Sequence, residues 1–186
     1  MKNRFSAFIL RSIFGLAAFS PVLSFAAQLP TGTINFTGSL TAPPCSVTTP
    51  NFTVALPQLT TATLTTAGAT AGQTAFSLGL TGCGNTAQNV SAYFQTNGNT
   101  VNTTDGNLVN VTGAGSATNV EVQILNNDNS VINLANGSGA QNSKDTTTAT
   151  NGTGALSYVA QYYSTTATGA TPGSVSTSVI YTLSYP

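Results

Sequence analysis

The stretch SVSTSVIYTLSYP, residues 174–186, decides the fold of this chain. Its apolar and aromatic side chains fall mainly on one face of an extended backbone: Val175, Val179, Tyr181, Leu183 and Tyr185. Serine and threonine occupy the other face, with Ile180 as the apolar exception. A period of two with β-branched and aromatic residues is typical of a half-buried strand. No further strand follows it in the sequence, so we expect it to leave an unpaired apolar edge.

A second alternation lies near the start of the chain. One face of this segment consists of Gly32, Ile34, Phe36, Gly38 and Leu40, with Thr33, Asn35 and Thr37 on the other. An alternating segment at one end and an unpaired edge at the other predict that the N-terminal segment of one copy completes the sheet of another copy.

Residues 1–26 are predicted to be a secretory signal. Three of the four basic residues of the chain lie at or before the head of an apolar run at residues 13–25. The segment SFA at 24–26 has the small residues that a signal peptidase needs, which predicts cleavage before Ala27. A transmembrane anchor would need about 20 apolar residues. This run is shorter and is interrupted by Ser20 and Pro21.

The composition of the exported chain excludes some partners. Residues 27–186 contain one basic residue, Lys144, and four acidic ones, which gives a net charge of −3. A single lysine cannot form a basic surface for nucleic acid or anionic lipid. The 160 residues fit one domain. A disordered chain would combine low hydrophobicity with high net charge, and this chain has neither.

Short alternating segments between Asn-, Gly- and Pro-containing turns predict an all-β sandwich. The clearest segments are residues 76–80, 90–95, 120–124 and 156–164. In the third of these, Val122 and Ile124 are expected to face inward with Val120, and Glu121 outward. No helical period of useful length occurs outside the signal.

The two cysteines, Cys45 and Cys83, are interpreted first as a disulfide, because an even count in an oxidising compartment favours one. A metal pair or a redox couple is the alternative, but the sequence has neither a CxxC motif nor a histidine. A disulfide across this separation of 38 residues would stabilise the fold by about 4 kcal/mol in the chain-entropy model.

The chain has few residues that could catalyse a reaction. Without histidine and with one lysine after the signal, Ser/His and Cys/His nucleophiles are excluded. A carboxylate pair for glycoside hydrolysis would have to come from the four acids, Asp105, Glu121, Asp128 and Asp145. Glu121 is expected on an outward strand face, Asp128 in a turn and Asp145 in a loop. We therefore predict solvated acids and no enzyme activity, cofactor or metal.

Several motifs follow one another along the chain: GTINFTG at 32–38, PPCSV at 43–47, GSATNVEVQIL at 115–125, YVAQYYSTTATGATPG at 158–173 and VIYTLSY at 179–185. Together and in this order they resemble the pilin subunits assembled by the bacterial chaperone–usher pathway, most closely the type 1 major pilin. The resemblance covers nearly all of the chain after the signal.

The resemblance implies an incomplete immunoglobulin-like β-sandwich that lacks its seventh strand and is completed by donor-strand complementation. In such proteins a periplasmic chaperone lends a strand to the groove beside the last strand. At the outer-membrane usher, the N-terminal extension of the next subunit replaces that strand. The implied domains are a donor-strand extension at 27–43 and a pilin domain at 44–186.

The resemblance also assigns roles to residues. The donor face would consist of Pro30, Gly32, Ile34 and Phe36. The strand bordering the acceptor groove would present Val179, Tyr181, Leu183 and Tyr185. The C-terminal carboxylate of Pro186 would be anchored by the chaperone, and Cys45 and Cys83 would join the first two strands.

The implied function is that of a structural subunit of an adhesive surface fimbria, exported through the periplasm and polymerised with neighbouring copies of itself. The alternative is a minor adaptor or a tip-associated adhesin of the same fibre. A two-domain adhesin carries an additional N-terminal lectin domain, and the 18 residues from Ala27 to the first cysteine leave no room for one.

Overall fold

The computed structural model describes residues 32–38, 45–84, 87–95, 100–148 and 150–185. By its contacts the chain divides into two units, Met1–Ser39 and Leu40–Pro186. The predicted signal, Pro30 and Pro186 lie outside the described residues. In the first unit, residues 32–38 have no regular secondary structure, and the side chains of Ile34 and Phe36 are 77% and 91% exposed.

Antiparallel strands form the second unit, as the alternating segments predict. Within the described residues the strands are β1 (Ser46–Val47), β2 (Thr70–Thr81), β3 (Asn89–Gln95), β4 (Leu108–Val109), β5 (Val120–Asn126), β6 (Thr146–Thr147), β7 (Gly154–Ser164) and β8 (Ile180–Ser184). One sheet has the order β1-β2-β7-β5-β4 and the other β6-β3-β8. The described chain contains a 3₁₀ turn at Thr61–Thr63. No helix there is long and apolar enough to span a membrane.

The core lies between the two sheets. Apolar residues at alternate positions of β2, β5 and β7 meet those of β3 and β8 in one buried cluster. Near its centre the ring of Phe94 lies edge-on to that of Tyr158, with centroids 5.3 Å apart. The Tyr158 hydroxyl accepts a hydrogen bond from the Ala92 N–H at 3.3 Å, which satisfies this buried polar group. Burial raises the pKa of Tyr158.

The last strand is shorter than the sequence predicts. β8 pairs with β3 on one side, from Ser91 opposite Ser184 to Gln95 opposite Ile180, and no described strand pairs with its other side. The predicted strand began at residue 174. Its first residues are instead bound to the loop at 110–117, because the Ala117 N–H donates to the Ser174 carbonyl at 2.9 Å. The unpaired edge predicted from the sequence is present on β8.

The prediction that Glu121 faces solvent is wrong. Glu121 is only 6% exposed, although it lies on the opposite face of β5 from Val122 and Ile124. Asn102 donates from Nδ2 to Glu121 Oε1 at 2.8 Å. Burial raises the pKa of Glu121. A period of two assigns a residue to one side of a strand, but it does not show whether another segment covers that side.

The predicted disulfide between Cys45 and Cys83 is confirmed. Cys45 directly precedes β1 and Cys83 follows β2, and these strands are neighbours in the first sheet, with Ser46 opposite Thr81. The bond therefore fixes the end of a two-residue strand that has few ladder hydrogen bonds of its own. The role implied by the family resemblance, joining the first two strands, fits this placement.

Reduction of this disulfide is expected to lower the free energy of unfolding by about 4 kcal/mol, because it releases a loop of 38 residues in the unfolded chain. Urea titrations with and without reductant measure the difference. A chain with both Cys45→Ser and Cys83→Ser is the control, and its titration should not respond to reductant. Equal stability of the oxidised and reduced protein would contradict the prediction.

Candidate functional site: an apolar groove beside the last strand

An open groove of about 660 Å³ runs between residues 50–56 and residues 175–181 of the second unit. Its floor consists of residues from β2, β3, β4, β5 and β7: Phe76, Leu78, Phe94, Leu108, Val122, Ile124, Ala160 and Tyr162. Most of these belong to the main hydrophobic cluster. The groove thus reaches the core itself, which is unusual for the surface of a soluble domain.

The first wall is the segment that leads into β8 and the start of that strand. Val179 and Tyr181, both predicted to border a groove, line it together with Val175. Ile180, the exception in the alternation, points away and is 50% exposed. Leu183 and Tyr185 lie further along and pack against the core cluster. The Tyr185 hydroxyl accepts a hydrogen bond from the Cys45 N–H at 3.2 Å.

The sequence did not predict that residues 50–56 form the second wall of the groove. These residues have no regular secondary structure and pair with no strand. The available signal was the alternation of Phe52, Val54 and Leu56, which ends at Pro57. Phe52 lies over the floor, with its ring centroid 6.1 Å from that of Phe76.

Two tyrosine hydroxyls hold this second wall near its ends. Tyr181 donates from Oη to the Pro50 carbonyl at 3.1 Å, across the groove from β8. Tyr162 donates to the Pro57 carbonyl at 3.2 Å from β7. Partial burial raises the pKa of both hydroxyls, which therefore remain protonated donors at neutral pH. Backbone ladders are missing along this wall, so these bonds help to set the width of the groove.

The groove has no ionisable carboxyl, amine or imidazole along its lining. None of the four acids considered for catalysis lines it. Apolar contact and backbone hydrogen bonds are thus the interactions that it offers. A long apolar floor beside an unpaired strand suits an extended peptide whose alternate side chains point into the floor.

The fold and the groove define a class of protein: an all-β sandwich with an apolar groove that opens onto its core beside an unpaired strand. The family model of the type-1 fimbrial protein, A matches residues 56–186. The chain belongs to the type-1 fimbrial protein family.

Curated relatives agree with this assignment. The major fimbrial subunit SMF-1 of Stenotrophomonas maltophilia is 45% identical over 166 residues, which cover 86% of this chain and 95% of the relative. The type-1 fimbrial protein A chain of Escherichia coli is 31% identical over an alignment that covers all of both chains. The protein is therefore a structural subunit of surface fimbriae, and the alternative of a minor adaptor or tip adhesin is not favoured.

Solved structures confirm the fold. A chaperone–usher pilus solved to explain rod uncoiling has a TM-score of 0.55 at 20% identity, and covers 86% of this chain and 98% of its own. The P pilus rod subunit PapA has a TM-score of 0.52 at 17% identity, and covers 77% of this chain and 99% of its own. The prediction of an immunoglobulin-like pilin sandwich is thus confirmed.

Replacement of Tyr181 by Phe should lower the free energy of unfolding by about 1 kcal/mol, because it removes the bond to the Pro50 carbonyl and keeps the ring. Urea titration measures the change. Tyr93→Phe on the neighbouring strand is the matched control, since no hydrogen bond of its hydroxyl is found within the described residues. Equal effects of the two substitutions would show that the Tyr181 bond does not hold the wall.

Proposed function

We propose that this subunit polymerises by donor-strand exchange, with the N-terminal extension of one copy filling the groove of the next. The observation that carries the proposal is the groove that opens onto the core beside the unpaired side of β8. In this proposal residues 1–26 are the signal, 27–43 the donor extension and 44–186 the pilin domain. The donor face is Pro30, Gly32, Ile34 and Phe36.

The lengths of the two partners support this pairing. Residues 32–38 would span roughly 23 Å as a strand, at about 3.3 Å per residue. Both walls of the groove, 50–56 and 175–181, also contain seven residues. A donor of this length would pair along the whole first wall and meet the second wall on its other side.

The side chains of the donor also suit the groove. Ile34 and Phe36 are apolar and largely exposed in their own subunit. Burial in a neighbouring groove would contribute roughly 1.5–3 kcal/mol for each of them. Gly32 would let a bulky groove residue approach the donor backbone. The charge-free lining agrees with a donor segment that itself has no charged residue at 32–38.

The proposal includes delivery by a periplasmic chaperone and an outer-membrane usher. The chaperone would occupy the same groove with a strand of its own and bind the carboxylate of Pro186. Val179, Tyr181, Leu183 and Tyr185 would form the strand that pairs first with the chaperone and then with the donor. The role is structural, and we propose no enzymatic activity and no cofactor.

A peptide exchange assay tests the donor face. Synthetic peptides of residues 27–38 are mixed with the chaperone-bound subunit, and release of the chaperone is followed by gel filtration. The native peptide should displace the chaperone. Phe36→Asp should not, because a carboxylate would be buried in an apolar groove. Gly32→Leu should also fail, because its side chain would collide with the groove residue that fills this space.

Thr37→Asp is the matched control, because it adds the same charge on the opposite face of the donor. This peptide should displace the chaperone as well as the native peptide does. Equal displacement by the native, Phe36→Asp and Gly32→Leu peptides would mean that the donor face lies elsewhere.

A subunit without residues 27–38 and without chaperone should aggregate, because its groove exposes core residues such as Phe76 beside an unpaired strand edge. Sedimentation of the refolded protein measures this. Addition of the native donor peptide during refolding should recover soluble subunit, and the Phe36→Asp peptide should not. A soluble, monomeric truncated subunit in the absence of any peptide would contradict the missing-strand interpretation.

A further inference from the structure

Two carboxyl groups lie together on the face of β5 that points away from the groove. Asn102 bridges them, since its Nδ2 donates to Glu121 Oε1 at 2.8 Å and to Asp105 Oδ2 at 3.3 Å. The orientation of this amide is fixed because Asn102 Oδ1 accepts from the Thr104 N–H at 3.0 Å. Asn102 therefore donates to one oxygen of each carboxyl group. Glu121 Oε2 has no hydrogen-bond donor among the described residues.

Unpaired polar atoms are concentrated at this place. In the described chain, four buried side-chain nitrogen or oxygen atoms lack a hydrogen-bond partner, and three of them are Glu121 Oε2, Asn107 Oδ1 and Asn107 Nδ2. Asn107 is fully buried, and its side-chain amide lowers the pKa of the Glu121 carboxyl group against the larger opposing effect of burial. Buried polar atoms without partners are rare in native proteins and often mark a bound water or ion.

No basic side chain of the described residues compensates these carboxylates. Lys144 is the one basic residue there, and it bonds to Asp128. Two carboxylates in a poorly hydrated place are costly unless a cation or several donors accompany them. The Asn102 amide and the Asn107 N–H, which donates to Asp105 Oδ1 at 3.1 Å, supply donors but no charge. Either a proton on Glu121, whose pKa burial raises, or a cation from solution would relieve this charge.

We propose that Asp105, Asn107 and Glu121 bind a calcium ion. Their donors are carboxylate oxygens and an amide oxygen, which are ligands of hard cations. Zinc and copper are disfavoured because the chain has no histidine and both cysteines are in the disulfide. Calcium accepts irregular sets of six to eight oxygens completed by water, whereas magnesium requires a regular octahedron.

The site is expected to be weak. The described residues contain no cluster of three or more acidic, histidine or cysteine ligands, so the ion would keep several waters. A dissociation constant on the order of 10⁻⁴–10⁻³ M, as in other extracellular calcium modules, fits two carboxylates and one amide. Such a site would fill in calcium-containing surroundings and empty in a chelator.

Calcium binding to purified fimbriae tests the proposal. Fimbriae stripped with chelator are dialysed against radioactive calcium, and bound ion is counted per subunit. We expect about one ion per subunit, and 10 mM calcium should raise the melting temperature by about 3–8 °C for a dissociation constant in this range. Magnesium at the same concentration should give a much smaller shift.

Glu121→Gln should abolish both effects, because it keeps the acceptor for Asn102 and removes the charge. Asp105→Asn is a second variant that decides the matter if the first does not assemble. Asp145→Asn, which removes a loop carboxylate elsewhere, is the control and should bind like the unaltered subunit. The proposal is overturned if unaltered fimbriae bind no calcium, if magnesium stabilises equally, or if both site variants bind as the control does.

Discussion

The constraint on which the structure depends is the unpaired side of β8. Tyr181 and Val179 present apolar surface to a groove whose floor is the hydrophobic core, and no described strand pairs with the outer side of β8. A sandwich normally covers its core with its own strands, so a strand from another polypeptide would add stabilisation here. In the proposed exchange, the free energy that completes the fold would be the same free energy that joins neighbouring subunits.

The polar side chains of this chain also help to hold its fold together. The long loops have few ladder hydrogen bonds, and buried amide side chains take their place. Gln141 accepts from the Phe94 N–H and donates to the Phe94 carbonyl, as a neighbouring strand would. Asn110 donates to the Ala117 carbonyl and accepts from the Ser176 N–H, which fixes the approach to β8. Neutral amides achieve this without charges that would need compensation. A chain rich in Asn, Thr, Ser and Gly is thus folded rather than disordered.

Sequence patterns predicted those features of the fold and the groove that depend on the alternation of apolar and polar residues. They identified the inward face of the last strand, including Val179 and Tyr181. The disulfide was predicted from the even number of cysteines instead. The patterns failed where the structure depends on contacts between distant segments. Glu121 was assigned to solvent because its alternation does not reveal the loop at 102–107. Residues 50–56 were not recognised as a groove wall, because the alternation of Phe52, Val54 and Leu56 does not reveal that tyrosine hydroxyls from β7 and β8 hold this segment beside the floor.

The groove and the proposed calcium site lie on opposite faces of the same strand pair, β4 and β5. Leu108 and Val122 lie opposite each other in β4 and β5, and both line the groove floor. Asn107 precedes Leu108 in the chain and Glu121 precedes Val122, and both belong to the proposed calcium site on the other face. A cation bound there would tie the loop at 102–107 to β5 and restrain the floor from behind, with no contact to the donor strand. The two faces of one strand pair would then serve assembly and rigidity separately.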